Sequence, residues 1–141
     1  MIAYIDTSVV LRIIFGEPHR LPVPSKVQGL FANEILKIEC FRTLERMRLS
    51  LNFSEKEMVE YSVNLNQALR SINLIKFDQS IGERACQAFP ITIKTLDAIH
   101  LSTALLWKGK KEKEMIFLTH DEQLGKTAAA VGFTVLGCKF P

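Results

Sequence analysis

Residues 2–8 have the sequence IAYIDTS, in which a short apolar run is followed at once by an aspartate. The run Ile2–Ile5 is apolar and β-prone, which is typical of a buried strand. Residues 8–15 follow directly and have the pattern of a helix that ends at Gly16. This stretch therefore predicts a strand that passes straight into a helix, with an acid at the junction.

The same alternation of strand and helix continues to the end of the chain. Further strands are predicted at residues 27–32, 74–77, 115–118 and 133–136. Further helices are predicted at residues 34–49, 79–88, 97–107 and 121–131, and another begins at a capping box at Ser54. Such an order predicts an α/β fold with a mainly parallel central sheet and helices on both faces. No repeat or domain boundary interrupts it, so residues 1–141 are predicted to form one domain.

Composition restricts the class of protein. The 141 residues are 48% hydrophobic and 23% charged, which excludes a disordered chain, and the net charge of +3 permits an anionic partner without demanding one. No apolar run approaches the roughly 18 residues that span a bilayer, and the first is too short for a signal peptide. Cys40, Cys86 and Cys138 show no paired spacing, which favours free thiols in the cytoplasm.

Four acids lie where such a fold binds its ligands, outside the carboxyl ends of the strands. Asp6 follows the first strand, Asp121 follows the fourth, Asp97 opens an apolar helix, and Glu39 lies in the helix after the second strand. If they converge, their hard oxygen ligands select Mg²⁺ or Mn²⁺. One or two such ions provide what phosphodiester hydrolysis needs, a hydroxide nucleophile and a stabilised leaving oxygen.

The alternative for the three aspartates is structural, because a carboxylate at a helix N-terminus caps free N–H groups. Residues 119–122 fit a capping box with Thr119 as the N-cap, and Asp78 is interpreted as a cap only. Thr7, Ser8 and Thr119 are supporting candidates at the same strand ends. They either hold carboxylates or a metal-bound water, or they cap helices.

Glu39 must be distinguished from Glu34 on the same predicted helix. Five residues place the two about 140° apart, so both cannot point into one site. Glu39 falls on the stripe that this helix is expected to bury, together with Ile35, Leu36, Thr43 and Met47. The alternative is that Glu39 forms an ion pair with Arg42 or Arg46, one or two turns along the helix.

Two histidines are weaker candidates. His100 lies on the apolar helix 97–107 and is interpreted as a hydrogen-bonded core residue rather than a metal ligand or a base. His120 stands beside Asp121 and could assist acid–base chemistry, but one histidine next to an acid is a weak signal.

Together these motifs resemble a known family. Residues 2–8 resemble the opening of PIN-domain nucleases, particularly the VapC-type toxins of bacterial toxin–antitoxin pairs. Glu39 with Arg42 resembles their second acidic motif, residues 96–101 (LDAIHL) the third, and residues 118–121 (LTHD) the fourth. The resemblance covers nearly the whole chain, with the motifs in the same order.

The resemblance implies a three-layer α/β/α PIN-like fold and Mg²⁺- or Mn²⁺-dependent endonucleolytic cleavage of RNA. It also implies a toxin role with a cognate antitoxin, and often a homodimer. Asp6, Glu39, Asp97 and Asp121 correspond to the catalytic, metal-binding acids, and Thr119 corresponds to a supporting residue.

Residues 17–24 depart from the family pattern. They hold three prolines where such toxins usually have a helix, which affects the expected antitoxin groove and dimer contacts. The alternative function is a non-catalytic PIN-like or receiver-like module that only binds partners. A receiver needs an aspartate after its central strand and a lysine after its last strand; Asp78 and Lys139 are poor matches, and the presence of all four acids favours catalysis.

Overall fold

Five parallel strands form one sheet in the part of the chain that the structure describes, residues 1–111 and 113–139 of a computed structural model. The strands are β1 (Ile2–Ile5), β2 (Leu30–Asn33), β3 (Ile72–Ile75), β4 (Met115–Leu118) and β5 (Thr134–Leu136). They lie in the order β3-β2-β1-β4-β5, and every pair of neighbours is parallel. The predicted mainly parallel sheet is therefore confirmed.

Six helices cover the two faces of this sheet in the described residues. They are α1 (Thr7–Ile14), α2 (Ile35–Leu51), α3 (Glu55–Arg70), α4 (Gln79–Ala85), α5 (Thr95–Lys110) and α6 (Glu122–Ala130). Helices α1, α2 and α3 pack against one another, and α5 packs against both α4 and α6. Because parallel crossovers are right-handed, the strand order places these two groups on opposite faces, which confirms the three-layer α/β/α architecture.

The central strands β1 and β4 are buried along their whole length. Helices on both faces shield them from water, which is why their sequences are continuous apolar runs rather than alternating ones. Tyr4 of β1 stacks on Phe117 of β4, with ring centroids 5.2 Å apart. The two strands that candidate site residues follow are therefore the fully buried centre of the sheet.

The topology opens a crevice between the carboxyl ends of β1 and β4. From β1 the chain continues to β2 on one side, whereas from β4 it continues to β5 on the other. Ligands of parallel α/β sheets bind at such a switch point. The Asp6 amide donates to the Leu118 carbonyl across this point (3.0 Å), so the residues after the two strands lie side by side.

Several predicted boundaries are corrected by the structure. Strand β2 begins at Leu30 rather than at residue 27, because the preceding amides bond to Pro24 and Met1 instead of continuing the ladder. Strand β3 lies two residues earlier than predicted, and the helix 79–88 ends at Ala85. Helix α5 is longer than 97–107 at both ends, so Asp97 lies in its first turn and does not begin it.

The capping box at Ser54 is confirmed by reciprocal bonds between Ser54 and Glu57. Residues 17–24 contain neither helix nor strand, as the three prolines predicted.

Within residues 1–111 and 113–139, none of the helices combines the length and the apolar character needed to cross a bilayer. Cys40 is buried, Cys86 exposed and Cys138 half-buried, and all three thiols are free.

Candidate active site

Asp6 is fixed at the end of β1, where it is also the N-cap of α1 and is 4% exposed. Its Oδ2 atom accepts hydrogen bonds from the Ser8 amide (3.3 Å), the Ser8 hydroxyl (2.6 Å) and the Thr119 hydroxyl (3.0 Å). Among the described residues no donor reaches Oδ1. The carboxylate is therefore a helix cap, as the structural alternative predicted, and also presents a second, free oxygen.

Thr119 and Ser8 connect the ends of β1 and β4. The fully buried Thr119 hydroxyl donates to Asp6 and accepts from the Asp121 amide (3.0 Å). The Ser8 hydroxyl, which also donates to Asp6, accepts from the His120 amide (2.9 Å). The structure thus brings both of these supporting candidates into direct contact with Asp6.

Asp121 is the N-cap of α6, and its Oδ1 atom accepts from the Leu124 amide (2.8 Å). The predicted capping box with Thr119 as N-cap is therefore wrong. The Thr119 amide donates to the Leu136 carbonyl of β5 (3.0 Å), so at this point the chain still follows the sheet. The helix begins only at Glu122, which moves the capping role to Asp121.

Glu39 reaches the same end of the sheet from α2. Its side chain is 18% exposed, and its Oε1 atom accepts from the Thr7 hydroxyl (3.2 Å) and contacts Nε2 of His100. The predicted alternative, an ion pair with Arg42 or Arg46, is wrong for the described residues, because the ionic contact of Glu39 is with His100 on α5. Thr7, the third supporting candidate, therefore holds Glu39.

The buried face of α2 is displaced from the predicted stripe. It contains Leu36, Cys40 and Leu44, whereas Ile35, Thr43 and Met47 are only partly buried. Glu39 lies at the border of this face, where one side of its carboxylate meets the core and the other remains accessible. Glu34 is exposed, as predicted.

Asp97 shows that the four acids share one electrostatic environment. Burial, together with the charges of Asp6 and Asp121 and a smaller contribution from Glu39, raises the pKa of Asp97 to about 6, against the opposing charge of His100. The N-cap of α5 is Lys94, and Asp97 makes no capping bond in the described residues. The capping part of the structural alternative is therefore wrong for Asp97, although its charge in the first turn of α5 still complements the helix dipole.

A buried polar chain beneath Glu39 was not predicted from the sequence. The Tyr4 hydroxyl accepts from the Asn33 amide (2.8 Å) and donates to Nδ1 of His100 (2.7 Å), which leaves the Nε2–H of His100 for Glu39. The Asn33 side-chain amide donates to the Thr103 hydroxyl (3.0 Å). The interpretation of His100 as a hydrogen-bonded core residue is confirmed.

Two opposing effects act on the pKa of His100. Burial lowers it, but the hydrogen bond to Glu39 and the charges of Asp6, Glu39 and Asp97 outweigh burial, and the pKa is raised overall. Burial also raises the pKa of Tyr4, which keeps its hydroxyl protonated as a donor to His100. The only sequence signal for this chain was polar residues, Tyr4 and Asn33, within otherwise apolar strands.

His120 has a positioning contact at each ring nitrogen. Its Nε2 atom accepts from the Leu21 amide (3.2 Å), and its Nδ1–H donates to the Gly137 carbonyl (3.0 Å). The ring therefore attaches the proline-containing segment and the end of β5 to the edge of the site. This geometry does not support the predicted acid–base candidacy of His120.

Gly137 is required where the chain passes over the site. Its φ is +104°, and a Cβ atom there would lie 2.3 Å from the Thr119 carbonyl oxygen. We expect Gly137→Ala to lower the free energy of unfolding by about 3 kcal/mol, because left-handed strain and a backbone overlap add together. Urea denaturation followed by circular dichroism measures this loss.

Substitutions at two other glycines distinguish the cost of left-handed strain from the cost of the backbone overlap. Gly132 has φ +94° with open space around it, so Gly132→Ala should cost only the strain, about 1–2 kcal/mol. Gly109 lies in α5 with ordinary φ and open space, so Gly109→Ala should be neutral or stabilising by up to about 1 kcal/mol. Equal losses at Gly137 and Gly132 would contradict the overlap with Thr119.

The donor set fits a hard divalent cation in its chemistry. Asp6, Glu39 and Asp121 each have one oxygen held by protein donors and a second oxygen without one in the described residues, and Asp97 has both free. A cation would relieve the repulsion that raises the pKa of Asp97. Within residues 1–111 and 113–139, however, no three His, Cys, Asp or Glu side chains are arranged closely enough to enclose a metal.

Comparisons with known proteins agree with this architecture. The sequence model of the PIN domain matches residues 3–130. One similar structure is a toxin–antitoxin complex from Klebsiella pneumoniae, 20% identical with a TM-score of 0.57, in which the match covers 99% of this chain and 97% of the other. Another is PAE2754 from Pyrobaculum aerophilum, 13% identical with a TM-score of 0.60, covering 96% of this chain and 83% of the other. No curated relative matches the sequence.

Proposed function

The chain belongs to the PIN domain family, and we propose that it is a Mg²⁺- or Mn²⁺-dependent endoribonuclease, the VapC-type toxin of a type II toxin–antitoxin pair. PIN domains are generally nucleases. The observation that supports the proposal is that burial, together with the charges of Asp6, Asp121 and Glu39 from other elements, raises the pKa of Asp97 to about 6, against the opposing charge of His100. The proposal treats residues 1–141 as one PIN-like domain.

In this proposal Asp6, Glu39, Asp97 and Asp121 hold the cation. A bound Mg²⁺ or Mn²⁺ supplies activation of water and neutralisation of charge on the leaving oxygen. The protein's own contribution is to fix the free carboxylate oxygens before the metal arrives, since supporting bonds that orient ligands are worth roughly 10–100-fold in metal affinity.

The supporting residues divide this positioning between them. Ser8 and Thr119 hold one oxygen of Asp6 and leave the other free for the cation. Thr7 does the same for Glu39, and His100 fixes that carboxylate from the buried side. Because three of these donors are neutral hydroxyls, they orient the carboxylates without cancelling the negative charge that a cation requires.

The receiver-like alternative is not favoured by the geometry. Asp78 follows β3, an edge strand, and its Oδ1 atom accepts from the Ile81 amide as the N-cap of α4 (2.9 Å). A phosphorylatable aspartate would instead follow a central strand. The interpretation of Asp78 as a cap is confirmed.

Metal removal tests the enzymatic part of the proposal. We expect cleavage of RNA to disappear in excess EDTA and to return with Mg²⁺ or Mn²⁺, because the acids repel one another and the substrate without a cation. Mn²⁺ at about 100 times its dissociation constant should also stabilise the fold by about 2.7 kcal/mol. Gel-based cleavage and thermal melts measure the two effects, and cleavage that persists in EDTA would contradict the proposal.

The proposed toxin role requires a partner that neutralises the acids. An antitoxin can insert an arginine or lysine between the carboxylates and form charge-assisted hydrogen bonds. The similar Klebsiella structure is itself a toxin–antitoxin complex. Co-expression with the product of the adjacent gene should give a stable complex that no longer cleaves RNA, and failure to form one would remove the toxin role alone.

We further propose that the protein is a homodimer in the cytoplasm. Light scattering can test the dimer.

A further inference from the structure

A groove of about 430 Å³ runs along α2 from Ile35 past Glu39 to Arg46. Arg42 and Arg46 line it from α2, and Leu96, the residue before Asp97, lines it from the first turn of α5. The groove therefore includes one acid of the candidate active site, Glu39, and extends from it along α2 to Arg46.

The two arginines lie on nearly the same face of α2 as Glu39. At about 100° per residue, Arg42 lies about 60° and Arg46 about 20° from the direction of Glu39. At 1.5 Å per residue, they stand about 4.5 Å and 10.5 Å further along the helix axis. A strand with one phosphate at Glu39 would therefore carry its following phosphates past both guanidinium groups.

Neither arginine is used in an ion pair within the described residues. Both are exposed, and the one side-chain bond they make there is from Nη2 of Arg46 to the Thr43 hydroxyl (3.1 Å). Arg48 on the same helix is different, because its Nε donates to Glu45 at 3.0 Å and a second nitrogen pairs with the same carboxylate. Arg42 affects the pKa of Glu45 only through its charge, after the larger effects of Arg48.

Two apolar side chains are exposed on the walls of the groove, Ile38 at 63% and Leu96 at 46%. They offer surface to the apolar faces of nucleobases, while the guanidinium groups offer paired donors to phosphate oxygens. An acidic peptide would also satisfy the arginines. Because Glu39 itself lines the groove, the position of the groove favours a polyanion whose own phosphate must reach the candidate active site.

We propose that this groove binds the single-stranded RNA substrate beside the cleavage site, with Arg42 and Arg46 contacting consecutive phosphates and Ile38 and Leu96 contacting bases. The inference rests on the proposed function and assigns the direction in which the substrate leaves the acids, along α2 towards its C-terminus. The arginine contacts are to the backbone and the two apolar contacts are to base faces rather than base edges, so the groove binds RNA regardless of sequence.

The test measures RNA binding without cleavage. Asp6→Asn protein is titrated against a fluorescein-labelled, unstructured RNA of about 12 nucleotides, and anisotropy is followed over a range of KCl concentrations. Adding Arg42→Ala and Arg46→Ala should weaken binding about tenfold for each arginine. The slope of log affinity against log salt should become shallower by about 1.4, since each lost phosphate contact removes about 0.7.

Arg48→Ala in the same background is the matched control, because Arg48 is already paired with Glu45 and lies outside the groove. Its RNA affinity should stay within about twofold of that of the Asp6→Asn parent. The slope of log affinity against log salt should stay within about 0.3 of the parent value. A second RNA of unrelated sequence should show the same losses with the double variant.

The outcomes separate this inference from the proposed function. If the wild-type chain cleaves RNA and the double arginine variant cleaves and binds equally well, the groove assignment is wrong and the nuclease role stands. Loss of a protein partner without loss of RNA affinity would assign the groove to that partner and overturn the proposal. A wild-type chain that neither cleaves nor binds RNA removes both.

Discussion

Asp6→Asn should reduce RNA cleavage by roughly a thousandfold or more, the scale of removing a positioned catalytic group, while the protein remains folded. The asparagine carbonyl can occupy the position of Oδ2 and accept from Ser8 and Thr119 as the carboxylate does. Its NH₂ group then replaces the free oxygen, and an amide nitrogen of this kind cannot bind a hard cation. A thermal melt and a cleavage assay on one sample measure both properties.

Asp78→Asn is the matched control for this substitution. Asp78 also follows a strand and caps a helix, by accepting from the Ile81 amide, but it lies at the edge of the sheet and outside the site. Asparagine caps helices as well as aspartate does, so activity and stability should both stay near wild type. An Asp6→Asn protein that is folded and fully active would show that Asp6 is a cap and nothing more.

The part of the fold that the sequence predicted best is the part buried on both faces. The predicted bounds of β1 and β4 agree with the structure at both ends, because a strand covered by helices on each side must be apolar throughout. The bounds of β2 and β3 could not be obtained in this way. Their ends are set by individual backbone bonds, such as the Phe77 amide donating to the Glu34 side chain (3.0 Å) instead of extending β3.

The positions of the acids were predictable for a related reason. In a parallel sheet the carboxyl ends of the strands meet at one edge, so Asp6 and Asp121 had to be neighbours once their strands were adjacent. The partner of Glu39 was not predictable. Glu39 and His100 are separated by 61 residues in sequence, and their contact depends on how α5 packs against β2.

The sequence therefore suggested a local partner for Glu39, an arginine one turn away, whereas the folded protein supplies a distant one. This difference changes what Glu39 can do. Thr7 and the buried His100 both contact the same oxygen of Glu39, Oε1, so the other carboxylate oxygen stays without a protein donor in the described residues. This arrangement also leaves Arg42 and Arg46 without an anionic partner in the described residues.

Glu39 of α2 and Glu34, the N-cap residue of that helix, give the sharpest test of the assigned site. Glu39→Gln should weaken Mn²⁺ binding by about 10–100-fold and reduce cleavage at saturating RNA at least as much. Its amide oxygen can still accept from Thr7 and His100, so the fold should survive, but NH₂ replaces the oxygen available to the metal. Mn²⁺-dependent shifts of the melting temperature, with initial cleavage rates, measure the two losses.

Glu34→Gln is the internal control, because it makes the same chemical change at the N-cap of the same helix, five residues before Glu39. Glu34 is exposed, and its Oε1 atom accepts from the Phe77 amide, which a glutamine oxygen can also do. Metal affinity and cleavage should therefore stay within about twofold of wild type, as for surface substitutions without a special contact. Similar losses in both variants would mean that the charge of α2 as a whole matters, rather than one carboxylate at the switch point. A loss confined to Glu34 would place the metal on the edge-strand side of α2, away from Asp6.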